Sequence, residues 1–347
     1  MTPANRPPVH FGFGAPLLEQ MLLVEHREGA GWGEPELLPR RAGDIPLASA
    51  AVQYGLSCFE GLKALRAPDQ SVHLFRADKH ATRMRLSCER LCLPPLPERR
   101  FVEHVAAFVL ANESHVPPHG EGALYLRPTI AAMEEFLGVR PAKLHTFGLV
   151  GTPVPKPASK SLQLLVEREF IRAAPGGVGF AKTGGNYAAG LLGAERAKQR
   201  GLDQVIWLDA IERRYLAEAG VMNVFVVIGD EVATPPLDGT ILAGVTRDCC
   251  LTLLRAFGLR VSERAVGLDE LVAAQRNGEL REAFGTGTAA CVVPIVRMVG
   301  ADEELTPPAG PLAARLRDAI EGIQEGRAAD PHGWRQPIGA AVRSPRR

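Results

Sequence analysis

The sequence Pro175-Gly-Gly-Val-Gly-Phe-Ala-Lys-Thr-Gly-Gly-Asn-Tyr187 places one lysine, Lys182, between two groups of glycines. It is one residue away from the G-x-x-x-x-G-K-[ST] loop that binds nucleoside triphosphates, because Ala181 stands where that loop needs its last glycine. The lysine of such a loop should also open a helix, whereas the two glycines that follow oppose helix formation. We therefore predict the helix only over 188–200 and do not expect a nucleoside triphosphatase.

Two further glycine-containing segments favour anion binding. Gly285-Thr-Gly-Thr-Ala-Ala290 matches a loose dinucleotide fingerprint, but that motif needs a helix directly afterwards and residues 291–296 are rich in strand formers. Its glycines and hydroxyls still offer several donors to an anion. Leu242-Ala-Gly-Val-Thr246 precedes a helix, whose N-terminus suits an anion, although an ordinary N-cap by Thr246 explains the pattern as well. Together with the lysine, these segments suggest a phosphorylated cofactor held near an amine.

Composition and charge exclude several classes of protein. The chain has 347 residues, 46% hydrophobic and 23% charged, which favours two domains over one. Its formal net charge of +1 provides no global field, so we expect neither nucleic acid nor a membrane as a partner. We see no secretory signal and no apolar run of membrane-spanning length. The six cysteines lack a disulfide framework and metal-ligand spacing, so we expect a cytoplasmic protein with reduced thiols and no metal.

A proline-rich segment divides the chain. Thr152-Pro-Val-Pro-Lys-Pro157 favours an extended, stiff conformation, so we predict a small α+β domain at 1–151, a connection at 152–158 and a large cofactor-binding domain at 159–347. In the first domain, periodicity predicts helices at 78–92 and 101–112 and strands at 123–127 and 143–150, with Pro128 limiting the pairing of the first strand. In the second domain we predict strands at 162–170, 204–208, 213–218, 223–228 and 231–234. We predict one helix at 188–200, a second that follows residues 244–248 and ends near residue 257, and a third at 311–325.

A lysine in a glycine-walled pocket, an acidic strand residue and a phosphate-binding turn are the parts that a pyridoxal phosphate enzyme needs. The segments that carry them resemble the branched-chain amino acid aminotransferases of the fold-type IV pyridoxal phosphate family, in family order over roughly residues 10–335. The matching segments are Phe59-Glu-Gly-Leu-Lys-Ala64, Leu124-Tyr-Leu-Arg-Pro-Thr129, Pro175-Gly-Gly, Lys182-x-Gly-Gly-Asn-Tyr187, Asp203-Gln-Val-Ile-Trp-Leu-Asp-Ala210, Glu218-x-Gly-x-Met-Asn223, Thr234-Pro-Pro-Leu-Asp-Gly239, Leu242-x-Gly-Val-Thr-Arg247 and Gly287-Thr-Ala289.

The resemblance implies a two-domain α+β fold of the D-amino acid aminotransferase-like type, with a small α+β domain and a larger domain around a β-barrel. It also implies a homodimer with pyridoxal 5'-phosphate bound between the domains. Lys182 is then the catalytic residue, which binds the cofactor aldehyde and later moves a proton at the substrate Cα. Glu218 keeps the pyridine nitrogen protonated, and Tyr187 hydrogen-bonds the phenolic oxygen of the cofactor.

For the cofactor phosphate, the resemblance implies binding by Arg83, by the N–H groups of Val245 and Thr246, and by the Thr288 hydroxyl. Leu242 is expected to pack against the ring. A solvated helix face is the alternative for Arg83, because several other arginines lie close to it in the sequence.

For the substrate, the resemblance implies an aromatic wall formed by Tyr54, Phe59 and Tyr125. Arg127 is expected to bind the distal carboxylate of glutamate, and the backbone of Thr288 and Ala289 the α-carboxylate. Core packing is the alternative role for Tyr54 and Phe59.

We therefore predict ping-pong transamination between leucine, isoleucine or valine and 2-oxoglutarate. The aromatic Val-Gly-x-Tyr-Phe segment common in the family is replaced here by residues 152–157, which keeps open an unusual bulky or aromatic L-amino acid. A D-amino acid aminotransferase, an aminodeoxychorismate lyase and a cofactor-binding protein without catalysis also remain open. Ala290 and Val293 occupy the places of the redox Cys-x-x-Cys of animal members, so we expect no thiol switch.

Overall fold

Two nine-stranded sheets organise the chain, which a computed structural model describes over residues 16–40, 45–157 and 160–339. The strands of the first sheet up to residue 155 are β1 (Gln20–Arg27), β2 (Gly31–Trp32), β3 (Glu36–Pro39), β4 (Ser57–Phe59), β5 (Leu62–Arg66), β6 (Val72–Phe75), β7 (Gly122–Ala132) and β8 (Leu144–Pro155). The helices beside them are α1 (Ala50–Tyr54), α2 (Ala77–Arg90) and α3 (Glu98–Ala111), followed by a 3-10 turn at Glu113–His115. The aromatic core between sheet and helices includes Phe101, Phe108 and Phe147, all fully buried.

The second sheet begins after residue 160. Its strands are β9 (Leu162–Glu167), β10 (Gln204–Leu208), β11 (Leu216–Ala219), β12 (Met222–Ile228), β13 (Glu231–Thr234), β14 (Arg260–Glu263), β15 (Leu280–Gly287), β16 (Cys291–Val299) and β17 (Glu304–Leu305). Its helices are α4 (Gly184–Gln199), α5 (Val245–Ala256), α6 (Leu268–Arg276) and α7 (Pro311–Gln324). The chain then returns to the first sheet, where β18 (Arg335–Pro337) pairs with β6. None of the helices in these described ranges has the length and apolar character needed to cross a membrane.

Six strands of the second sheet close into a barrel. The path β11-β10-β9-β16-β15-β12 is completed because β11 also pairs with β12, at Glu218–Asn223 and Ala219–Met222. Alternate residues of these strands, such as Leu164, Ile206 and Val224, face inward and fill the barrel with apolar side chains. The barrel implied by the resemblance is confirmed.

The prolines in β7 and β8 limit pairing less than we predicted. Pro128 lies within β7, opposite Leu149 of β8, and its carbonyl accepts the Glu60 N–H in the break between β4 and β5. Its missing N–H therefore falls where the neighbouring strand is interrupted. Residues 152–155, predicted as part of a connection, pair with β7 as the end of β8. They lie beyond the last β1 pair, Leu22–Leu149, so β8 has a paired neighbour on one side only at Pro153 and Pro155.

Helix α4 begins at Gly184, directly after Lys182-Thr183, so the prediction that two glycines would delay it to residue 188 is wrong. Tertiary contacts outweigh the low helix propensity of glycine here. The buried Asn186 side chain donates hydrogen bonds to the carbonyls of Val178 and Ala181, which fixes the first turn. Two turns further, Gly193 packs so closely on Trp207 that a Cβ would lie 2.7 Å from the indole ring. The strand predicted at 204–208 and the helix predicted near 311–325 are confirmed.

A buried ionic cluster joins the turn after β4 to helix α2. The carboxylate of Glu60, fully buried, accepts two hydrogen bonds from the Arg83 guanidinium, at 2.6 and 2.8 Å, and contacts His80 Nδ1 at 2.6 Å. Burial alone would raise the pKa of Glu60, but Arg83 and His80 hold it well below its usual range. The remaining nitrogen of Arg83 donates to the carbonyl of Ala243, before α5, at 2.9 Å. The cluster therefore connects the two sheets.

Replacing Glu60 with glutamine should destabilise the apoprotein by about 3–5 kcal/mol, because the substitution leaves the buried guanidinium of Arg83 without a counter-charge. Asp269→Asn is the matched control, since it breaks a two-point ion pair with Arg214 whose side chains are 60% and 52% exposed. That control should cost much less, because an exposed ion pair contributes little to stability. Urea denaturation of both variants measures the difference, and equal small losses would contradict the importance of the buried cluster.

Candidate active site

A cavity of about 360 Å³ lies between the two sheets. It brings together every residue that the sequence predicted for the site except one. Its lining includes Phe59, Arg83, Tyr125, Arg127, Lys182, Tyr187, Glu218, Leu242, Val245, Thr246, Thr288 and Ala289. The exception is Tyr54 at the end of α1, which is 45% exposed and lies outside the cavity. Within one chain Tyr54 therefore does not reach the aromatic wall, and its role there stays a prediction.

The backbone of Lys182 is held by the first sheet and its helices. Its N–H donates to Ser87 Oγ of α2 and its carbonyl accepts the Phe59 N–H at the end of β4, both at 2.9 Å. The amine Nζ donates to the Tyr187 hydroxyl at 2.6 Å and lies 5.0 Å from the centre of the Phe59 ring. Loss of hydration, helped by the positive charge of Arg83, lowers the pKa of Lys182 to about 7. Burial raises the pKa of Tyr187 to about 12, so its hydroxyl keeps its proton.

Glu218 lies at the end of β11, next to the barrel opening. One carboxylate oxygen accepts hydrogen bonds from the Leu242 N–H at 3.0 Å and from Asn223 Nδ2 at 3.1 Å. The other oxygen pairs with the guanidinium of Arg172. Burial raises the pKa of Glu218 to about 7, although Arg172 and the Leu242 N–H oppose that rise. A carboxyl in this state shares a proton readily with a basic nitrogen facing it.

Arg172 and Glu60 are site-supporting residues that the sequence interpretation missed. Arg172 also donates to the carbonyls of Gly179 and Thr240, so it joins the lysine-bearing loop to the segment before α5. It lies in an irregular stretch without periodicity and gave no signal. Glu60 stands inside the quoted Phe59-Glu-Gly segment, and a charged residue within an apolar strand pattern was the available signal.

The N-terminus of α5 forms the anion-binding end of the cavity. Its N-cap is Gly244, without a side-chain cap, so Thr246 is a residue of the first turn and not the ordinary N-cap considered as an alternative. A Cβ at residue 244 would lie 1.9 Å from Asn223 Oδ1, so only glycine permits this close approach. The free N–H groups of the first turn and the helix dipole favour a negative charge. The buried Arg83 also lines this cavity, so it does not lie on a solvated helix face.

At the other end, Arg127 lies over aromatic rings. Its guanidinium carbon is 4.6 Å from the centre of the Phe59 ring, and Nη2 donates to the Tyr125 hydroxyl at 3.1 Å. Phe59 thus lines the cavity and does not belong to the apolar core. The turn between β15 and β16 also lines the cavity, and Lys63 of β5 donates to the carbonyl of Ala289 at 3.1 Å.

Comparisons with known proteins agree with this geometry. The sequence profile of the family Amino-transferase class IV matches residues 57–298. The chain is 38% identical to Branched-chain-amino-acid aminotransferase 2 of Bacillus subtilis (strain 168), over 97% of this chain and 94% of that protein. It is 43% identical to a probable branched-chain-amino-acid aminotransferase of Streptomyces coelicolor, over 93% and 91% of the two chains.

A solved structure shows the same architecture. The branched-chain amino acid aminotransferase of Escherichia coli superposes with a TM-score of 0.74 at 26% identity, covering 87% of this chain and 96% of that chain. Aminotransferases of this class use pyridoxal phosphate as their cofactor. Sequence, fold and cavity agree, and the chain belongs to the class IV aminotransferases, among the branched-chain-amino-acid aminotransferases.

Proposed function

We propose that this protein catalyses transamination between branched-chain L-amino acids and 2-oxoglutarate, in two half-reactions that share one site. The observation that carries the proposal is the amine of Lys182, with its pKa lowered to about 7, in a cavity that also contains Glu218 and the N-terminus of α5. An amine that is about half neutral at pH 7 can act as both a nucleophile and a base, whereas an exposed lysine is almost entirely protonated at that pH.

The residues present fit pyridoxal phosphate. The anion end of the cavity is cradled at Gly244, where any Cβ would collide, and the buried Glu218 carboxyl faces the same cavity. When bound, the cofactor supplies a ring that accepts the electrons released at the substrate Cα. Arg83, the N–H groups of Val245 and Thr246, and the Thr288 hydroxyl would hold its phosphate. Leu242 would pack against the ring and Tyr187 would hydrogen-bond the phenolic oxygen.

Lys182 moves the proton of the reaction. Its neutral amine would take the proton from the substrate Cα and hold it for return to the reacting atoms. Tyr187 orients the amine, since its hydroxyl lies 2.6 Å from Nζ. Glu218 holds a proton at the pyridine nitrogen, and the Arg172 and Asn223 contacts keep the carboxylate in place.

Two kinds of side chain must enter the same cavity. Phe59 and Tyr125 offer an apolar wall for leucine, isoleucine or valine. Arg127 would bind the distal carboxylate of glutamate, and its buried Nε has no partner among the described residues, so a donor is available. The Thr288–Ala289 backbone would bind the α-carboxylate.

A bulkier or aromatic L-amino acid is the second candidate substrate. It is favoured by the place of residues 152–155, which extend β8 and do not line the cavity. Competition between branched and aromatic 2-oxo acids as acceptors distinguishes the candidates. The branched acids should outcompete the aromatic ones if the first candidate is right.

We further propose a homodimer, a cytoplasmic location and a division into domains at residues 152–158. Apolar side chains that are 45–65% exposed on α1 and α4 support a partner surface, namely Val52, Tyr54, Leu191 and Leu192. All six cysteines are free, as suits a reducing compartment. The chain leaves the first sheet after Pro155 and enters the second sheet at Leu162.

Lys182→Ala should abolish steady-state transamination of L-leucine with 2-oxoglutarate, by at least about a thousandfold, because it removes the nucleophile and the base together. Lys198→Ala, at an exposed lysine of α4, serves as the matched control and should keep normal turnover. Circular dichroism verifies that both variants fold. Near-normal turnover by a folded Lys182→Ala enzyme would overturn the proposal.

The apoprotein should show a reactive amine at Lys182 with a midpoint near pH 7. Acylation of this residue, followed by peptide mass spectrometry against pH, should rise through pH 7, and in the denatured chain it should rise only near the ordinary lysine value of about 10.4. Because the folded state binds this proton more weakly than the unfolded state, the contribution of Lys182 to stability should increase as the pH rises between these two values. An unchanged midpoint in the folded protein would contradict the dehydration of the amine.

A further inference from the structure

Thr286 of β15 carries a buried hydroxyl that the proposed catalytic roles do not use. The residue is 1% exposed and lines the cavity, and its Oγ1 has no hydrogen-bond partner among the described residues. A buried hydroxyl without a partner costs folding free energy, so such atoms are rare unless a ligand satisfies them.

The position of Thr286 in the sheet shows which part of a ligand it faces. Thr286 pairs directly with Asn223 of β12, and Asn223 pairs with Glu218 of β11, so the three side chains project from the same face. Asn223 in turn packs against Gly244, the N-cap of α5. A Cβ added at residue 244 would lie only 1.9 Å from Asn223 Oδ1. The unpartnered hydroxyl therefore belongs to a residue that lines the cavity and stands next to Asn223, the side chain that packs against the N-terminus of α5.

We propose that the Thr286 hydroxyl binds the phosphate of the cofactor as an additional donor, beside the N-terminus of α5. The inference rests on the proposed function, because it assigns a residue to the cofactor of that site. A hydroxyl donating to a charged phosphate oxygen gains a strong hydrogen bond and ends its unpaired state in the apoprotein. The sequence interpretation assigned only the hydroxyl of Thr288 to this group, two residues further along the chain.

The role predicts opposite effects on stability and on binding. Thr286→Val keeps the shape of the side chain and removes only the unpaired hydroxyl, so the thermal midpoint of the apoprotein should stay unchanged or rise. The same variant should bind pyridoxal phosphate about tenfold to a hundredfold more weakly in calorimetric titrations, the range for losing one hydrogen bond to a charged acceptor. Thr286→Ser retains the hydroxyl and should restore most of the affinity.

Thr234→Val is the matched control. Thr234 of β13 is fully buried outside the cavity, and its hydroxyl donates to the carbonyl of Val224 at 2.7 Å. This variant should lower the thermal midpoint of the apoprotein and leave the affinity for pyridoxal phosphate within about twofold, because a satisfied structural hydrogen bond is lost.

Two further probes identify the contacted group. Inorganic phosphate should bind Thr286→Val more weakly than wild type, whereas pyridoxal, which lacks the phosphate, should bind both proteins alike. An equal loss of pyridoxal affinity would overturn the assignment to the phosphate, and a large loss of apoprotein stability would show that the hydroxyl has a partner in the fold. If wild type binds pyridoxal phosphate and Thr286→Val binds it equally well, the inference about Thr286 fails and the proposed function stands. If wild type does not bind it, the proposed function fails.

Discussion

Exclusion of water from one amine is the constraint on which the rest of the structure depends. A lysine ordinarily has a pKa of about 10.4, and the fold lowers that of Lys182 to about 7 by loss of hydration and by the nearby charge of Arg83. Such a site requires walls on several sides, and no single sheet supplies them. Ser87 and Phe59 hold the lysine backbone from the first sheet and its helices, and Tyr187 holds the amine from α4.

Contacts between the sheets set the shape of the cavity. Arg83 reaches the carbonyl of Ala243 before α5, and Lys63 reaches the carbonyl of Ala289 in the turn after β15. Both contacts position backbone segments that line the cavity, so the first sheet orients parts of the second. The buried carboxylate of Glu60 stabilises one of these contacts by neutralising Arg83. The Glu60–Arg83 ion pair therefore both sets the charge near the site and holds the two sheets together.

The sequence predicted what depends on local patterns and ordered motifs. Helices α2, α3 and α7 are amphipathic, so their periodicity located them within a few residues. Twelve of the thirteen predicted site residues line the cavity, and all of these except Arg83 stand in the ordered segments that carry the resemblance. The start of α4 was missed because Asn186 and Trp207, contacts made by tertiary structure, outweigh glycine propensity. Pro128 was misjudged because its tolerance depends on a break in a neighbouring strand. Arg172 meets Glu218 only in the folded chain, and the exposure of Tyr54 has no local signature.

The central claim is that one cavity, with one lysine, receives amino groups from both an apolar and an acidic amino acid. The visible absorption of the purified holoenzyme tests it directly, as L-leucine and L-glutamate are added in separate single-turnover titrations. The account predicts that either amino acid alone converts the bound cofactor from its aldehyde to its amine form, and that the matching 2-oxo acids reverse the change. A cofactor spectrum that responds to glutamate and remains unchanged with leucine, isoleucine and valine would contradict the account.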